Sequence, residues 1–101
     1  MIGRFQFTPQ ALDDLFEIWS YIARDSPAAA DRVEEAIYLG CELLAGSPLA
    51  GTVRRDLTSL PVRFWIVPPF PNYFIVYDPQ TEPLQVIRVL HRARNIPSIL
   101  P

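Results

Sequence analysis

The stretch FTPQALDDLFEIWSYIARDSPAAADR, residues 7–32, decides how this chain folds. It holds two helix starts of one design. Thr8 precedes Pro9, and Ser26 precedes Pro27. A hydroxyl side chain caps the first free backbone N–H groups of a helix, and proline suits the first helical position because it has no N–H to leave unsatisfied. The two starts predict helices over residues 9–24 and 27–45. In the first, Leu12, Leu15, Phe16, Trp19, Ile22 and Ala23 recur at spacings of three and four, the period of one apolar helix face. Trp19 reads as core packing. Asp13 and Asp14 lie early, where negative charge suits the helix dipole. In the second, Ala30, Val33, Ile37, Cys41 and Leu44 form the stripe, and Gly40 permits close approach. Gly46 and Pro48 mark its end. The join between the helices is so short that they must form an antiparallel hairpin. Leu39 and Leu43 fall on the far side of the stripe, where a solvated helix prefers polar residues.

Outward from the hairpin the pattern changes period. IGRFQFT, residues 2–8, alternates and reads as a strand. GSPLAGTVRRDLTSLP, residues 46–61, is a basic loop. Three strands follow: VRFWIV (62–67), NYFIVYD (72–78) and LQVIRVLH (84–91). The spacers PPFP and PQTEP are short, so these strands form an antiparallel meander. NIPSILP can pack back as a short segment. The expected architecture is α+β with the order β-α-α-β-β-β: a helical hairpin on one face of a small, mostly antiparallel sheet. The other face, or its rim, is left for partners.

The chain has 101 residues, enough for one domain spanning 1–101, and half of them are hydrophobic. No apolar run approaches the roughly 20 residues of a membrane span, and the start lacks a signal-peptide core, so a cytoplasmic bacterial-type protein is expected. One cysteine excludes an internal disulfide. With one Cys and one His there is no zinc set, and neither a phosphate-cradling loop nor a nucleophile elbow occurs; no metal or cofactor is expected. The net charge of −2 argues against a general nucleic-acid binder. The charge is unevenly spread. Residues 1–50 hold eight acids against three arginines, a balance of −5; residues 51–101 hold six arginines against three acids, a balance of +3. There is no lysine. Arginine suits two-point contact with carboxylates or phosphates.

The positive charge gathers in two places, Arg54–Arg55 and the end of VIRVLHRARN (86–95). Arg88 sits inside an apolar strand and would be costly to bury unpaired, so an ion pair with a hairpin carboxylate is expected. Arg92 and Arg94 have no apolar surroundings and should be solvated. His91, closing the strand, reads as a hinge that fixes how the basic tail leaves the sheet. Cys41 reads as a small buried hydrophobe. Trp65 alternates with Phe64 and can serve the core or the open sheet face.

The order and words of this chain resemble the RelE/ParE superfamily of toxins from bacterial type II toxin–antitoxin systems, and most of all its ParE branch. The resemblance rests on residues 7–32, LAGSPLAGTVRRDL (44–57), VRFWIV, NYFIVYD and IRVLHRARN (87–95), so it covers almost the whole chain. The commoner family ending has Gly after the His and Asp after the second Arg; here Arg92 and Asn95 stand instead. The resemblance implies a cognate antitoxin as partner. It also implies one of two targets: DNA gyrase for ParE-like members, which are not hydrolases, or the ribosome and its mRNA for RelE-like endonucleases. A third class is a non-toxic remnant that only binds its antitoxin. RNA cleavage needs a base, a proton donor and positive charge on the phosphate. RelE-like enzymes supply these with lysines, a mid-sheet arginine and a C-terminal tyrosine or histidine. Here lysine is absent, Phe74 replaces the mid-sheet arginine, and NIPSILP offers only Ser98; Arg92 remains at a matching place and His91 is available as a base, which is only a partial set. No catalytic residue is assigned. The expected target contacts are Arg54, Arg55, Arg63, His91, Arg92 and Arg94. The expected antitoxin contacts are Leu39, Leu43, Trp65, Arg92 and Arg94.

Overall fold

A computed structural model describes residues 4–100. The order is β1 (Phe5–Phe7), α1 (Pro9–Ala23), α2 (Pro27–Gly46), β2 (Arg63–Ile66), β3 (Tyr73–Asp78), β4 (Leu84–His91) and α3 (Ile96–Ile99). The sheet runs β1-β4-β3-β2, with β1 parallel to β4 and the remaining pairs antiparallel. This is the expected α+β arrangement. Residues 2 and 3 of the anticipated first strand, and the final Pro101, lie outside the described residues.

Both caps form. The Thr8 hydroxyl accepts the Ala11 N–H at 3.2 Å, and the Ser26 hydroxyl accepts the Ala29 N–H at 3.1 Å. Thr8 does a second job: its hydroxyl donates to the Ile87 carbonyl at 2.7 Å and its N–H to the Val86 carbonyl at 3.0 Å. The start of α1 is thereby pinned to the edge of β4 where β1 stops.

The core between hairpin and sheet contains Leu15, Ile37, Leu44, Ile75, Tyr77 and Val86. Burying each such aliphatic side chain stabilises the fold by roughly 1.5–3 kcal/mol before conformational entropy is subtracted. The α1 stripe differs from its sequence reading. Ala11, Leu15, Ile18 and Ile22 face inward, whereas Leu12 is 51% and Phe16 71% exposed. The helix carries apolar residues on two faces, and tertiary packing selects one. Trp19 is half-buried at the hairpin surface rather than in the core, its indole N–H donating to Asp31 at 2.8 Å. Asp14, expected as a dipole partner, is instead buried.

The second sheet face is not left open either. Val62, Phe64, Phe74, Val76 and Leu90 form a second core there, closed by Ile96 and Leu100 of the tail and by Leu57 of the long loop. That loop is fastened by Tyr77. Its buried hydroxyl donates to the Pro48 carbonyl at 2.6 Å and accepts the Gly51 N–H at 2.8 Å.

Candidate functional site

The end of β4 is shaped by His91. Its Nδ1 accepts the Ala93 N–H at 3.0 Å, and its carbonyl accepts the Arg94 N–H at 3.0 Å. The Arg92 N–H donates to the Asn72 carbonyl at 2.7 Å. Across the strand pair, the Tyr73 ring meets the imidazole edge-on at 5.3 Å. These contacts use the histidine to turn the chain. They leave Arg92 and Arg94 exposed, and neither has an ion pair among the described residues.

Arg92 and Arg94 rim a cleft of about 390 Å3 on the sheet face opposite the hairpin. Arg54 joins them from the long loop, and Ile66 and Phe74 line its apolar part. Arg54 is partly neutralised by Asp56, which it contacts at two points, 2.9 and 2.7 Å. That hydrogen-bonded pairing raises the Arg54 pKa and lowers that of Asp56. The other expected target contacts are used elsewhere. The Arg55 guanidinium donates to the Ser59 carbonyl at 3.3 Å within the loop. That of Arg63 donates to the Gly51 carbonyl at 2.8 Å and ties the loop to β2. The fold therefore brings Arg54, Arg92 and Arg94 together and leaves Arg55, Arg63 and His91 outside the cleft lining.

The residues expected to meet an antitoxin divide between two faces. Leu39 and Leu43 of α2 and Trp65 of β2 line one apolar groove of about 440 Å3 on the hairpin side. Pro68, Pro69 and Phe70 form its far wall. Trp65 lies against α2 at Gly40, where an added Cβ would come within 2.6 Å of the indole ring. This assigns Trp65 to the hairpin face rather than the opposite one. Arg92 and Arg94 do not border this groove. The sequence pattern did not reveal the parts played by Phe70, Ile66 and the two prolines. Their one available signal was an apolar Ile66 at the end of a strand whose neighbours were already assigned to both faces.

Arg88 and Asp14 complete the neighbourhood. The guanidinium meets the carboxylate at 2.7 and 2.8 Å, which pairs Arg88 with a hairpin carboxylate and removes it from the free cations. Cys41 is buried, and burial pushes its thiol up to about 12. Two positions named in the ribonuclease comparison are apolar or committed: Phe74 is buried, and the Ser98 hydroxyl donates to the Asn95 carbonyl at 2.8 Å. Among the described residues no group of His, Cys, Asp and Glu could hold a metal ion, and no helix is long and apolar enough to cross a membrane.

Comparison with known proteins agrees with this geometry. Among solved structures, the chain is similar to one described as the chromosomal ParDE TA system from P. aeruginosa. The TM-score is 0.69 at 19% identity, covering 86% of this chain and 92% of that one, a likeness of fold. No curated protein sequence matches. The family described as ParE toxin of type II toxin-antitoxin system, parDE, matches residues 5–96, from the first strand through the basic exit of β4 to the start of the tail helix. The chain belongs to the ParE toxin family of type II toxin–antitoxin systems.

Proposed function

We propose that this protein acts in the cytoplasm as a growth-arresting toxin that inhibits DNA gyrase without hydrolytic chemistry, and that a cognate antitoxin neutralises it. The observation that carries this reading is the cleft of Arg54, Arg92 and Arg94 over Ile66 and Phe74. Two of its arginines have no ion pair among the described residues, and no nearby set of base, acid and lysine accompanies them. Unpaired guanidinium groups around an apolar floor suit docking to an acidic protein surface. For the antitoxin, the groove of Leu39, Leu43 and Trp65 offers the apolar anchors that coupled folding of a disordered segment requires.

Purified protein added to a gyrase supercoiling assay, beside an in-vitro translation assay, tests the target. Inhibited supercoiling with undisturbed translation is expected. Cleaved mRNA with untouched supercoiling would overturn the reading in favour of a RelE-like endonuclease. Growth that continues on induction without antitoxin would mark a non-toxic remnant.

A further inference from the structure

α1 turns a second apolar face to solvent. Leu12 and Phe16 lie one turn apart on it, and both are exposed. Asp13 and Glu17 flank them in the sequence, are exposed as well, and have no ion pair among the described residues. Arg88 is held chiefly by its hydrogen bonds to Asp14 and more weakly by the charges of Glu17 and Asp13. One arginine among three carboxylates leaves this flank of α1 negative. The basic cleft has the inverse character, with Arg54, Arg92 and Arg94 over Ile66 and Phe74. The two cores and the sheet between them separate the stripe from the cleft. One copy therefore cannot bring its own stripe to its own cleft, whereas two copies can.

We propose that the basic cleft takes the Leu12–Phe16 stripe of a second copy of this chain, head to tail. The Phe16 ring meets the apolar floor of Ile66 and Phe74, and the carboxylates of Asp13 and Glu17 meet the guanidinium groups of Arg92 and Arg94. Charge selects this pairing among copies. Stripe on stripe would set Asp13 and Glu17 against themselves, and cleft on cleft would set arginine against arginine. The whole chain is polarised in the same sense: eight acids against three arginines over residues 1–50, six arginines against three acids over residues 51–101. A head-to-tail contact leaves a stripe free at one end and a cleft at the other, so it builds chains or rings rather than a two-fold dimer. One helix face in one cleft is a small contact beside the roughly 800 Å2 per partner of a stable complex, so the association belongs to concentrated protein. Each contact covers a cleft and competes with any target that docks there. The inference does not depend on which target that is.

The test is sedimentation velocity of the whole protein at about 10 μM and about 1 mM, which brackets a weak association. The parent should be monomeric at the lower concentration and form larger species at the higher one, and about 1 M salt should disperse them. Phe16→Ser removes the apolar knob; Arg92→Glu with Arg94→Glu reverses the charge of the cleft. Each of these two proteins should stay monomeric by itself. An equal mixture should form a 1:1 dimer and nothing larger, because each carries only one of the two surfaces. The three residues are exposed, so both proteins should keep the melting temperature of the parent. Phe16→Ala, or alanine at both arginines, replaces one that does not. A parent that stays monomeric at about 1 mM overturns the inference and leaves the stripe to a different partner. A variant that self-associates as the parent does, or a mixture that stays monomeric, overturns it too. Gyrase left uninhibited by the monomer is a separate result: it would remove the target reading and leave the mixing data standing.

Discussion

Asp14 and Arg88, 74 residues apart, form a two-point ion pair that replaces a missing strand. β1 pairs with β4 only as far as Val86. Beyond it the edge of β4 would expose the Val89 N–H, and the Asp14 carboxylate accepts it at 3.0 Å. Asp14 is 5% exposed, so losing it strands both a cation and a buried backbone donor. Asp14→Ala should destabilise the fold by about 3–5 kcal/mol. Asp14→Asn keeps an oxygen for Val89 and should cost less. Urea unfolding of both variants gives the ordering; an alanine variant within about 1 kcal/mol of the parent would show that the pair is dispensable.

The packing of Trp65 on Gly40 sets the depth of the apolar groove. A methyl group at position 40 would meet the indole at 2.6 Å and Ile75 at 2.9 Å. Gly40→Ala should therefore cost about 1–3 kcal/mol despite alanine's better helix propensity. The indole must move, so tryptophan fluorescence should shift with it. A stabilised variant with unchanged emission would contradict the contact.

The helical hairpin was legible because its signals are local. Thr8–Pro9 and Ser26–Pro27 need no tertiary information to start a helix, and the three C-terminal strands are bounded by prolines in the sequence itself. The choice of face on α1 was not legible. Leu12 and Phe16 match the helical period as well as Ala11 and Ile18 do, and only the sheet decides between them. Nor could spacing show that Leu39 and Leu43 would meet Trp65 while Arg92 and Arg94 face the other way. That separation depends on which residues of β2 point to which side, a parity that one residue of register would reverse.

Tyr77 links the core to the loop that carries Arg54. Replacing it with phenylalanine removes a hydroxyl that serves both Pro48 and Gly51. The Gly51 N–H is then buried without a partner, at a cost of about 1–3 kcal/mol. Hydrogen exchange should rise over the loop and leave the hairpin unchanged. Uniformly faster exchange would mean that the phenol supports the whole core rather than the loop.

Cys41 makes stability depend on alkaline pH. Its folded pKa is raised by burial from the usual 9.0 to about 12. Below the unfolded value both states hold the proton and the thiol contributes fully. Between about pH 9 and 12 the unfolded chain gives it up and the folded chain does not. Stability should therefore fall with rising pH, by about 1.4 kcal/mol per unit for one proton. Burial also raises Tyr38, Tyr73 and Tyr77, so the parent chain carries their share too. The difference between parent and Cys41→Ala isolates the thiol. Urea midpoints that run parallel for the two proteins from pH 8 to 11 would refute the assignment.

Arg92 and Arg94 should separate function from stability. Both are exposed with no ion pair among the described residues, so replacing them with alanine should change stability by no more than about 0.5 kcal/mol. On the proposed reading, gyrase inhibition should weaken at least about tenfold, because guanidinium groups at such an interface would supply both steering and two-point bonding. Arg55→Ala is the control. It removes one positive charge to the double variant's two, from outside the cleft lining and from a side chain that bonds its own loop. Rising salt should reduce the difference between parent and double variant, since part of the effect is screened attraction. Equal loss of inhibition in Arg55→Ala would make net charge, rather than the cleft, the source of target binding.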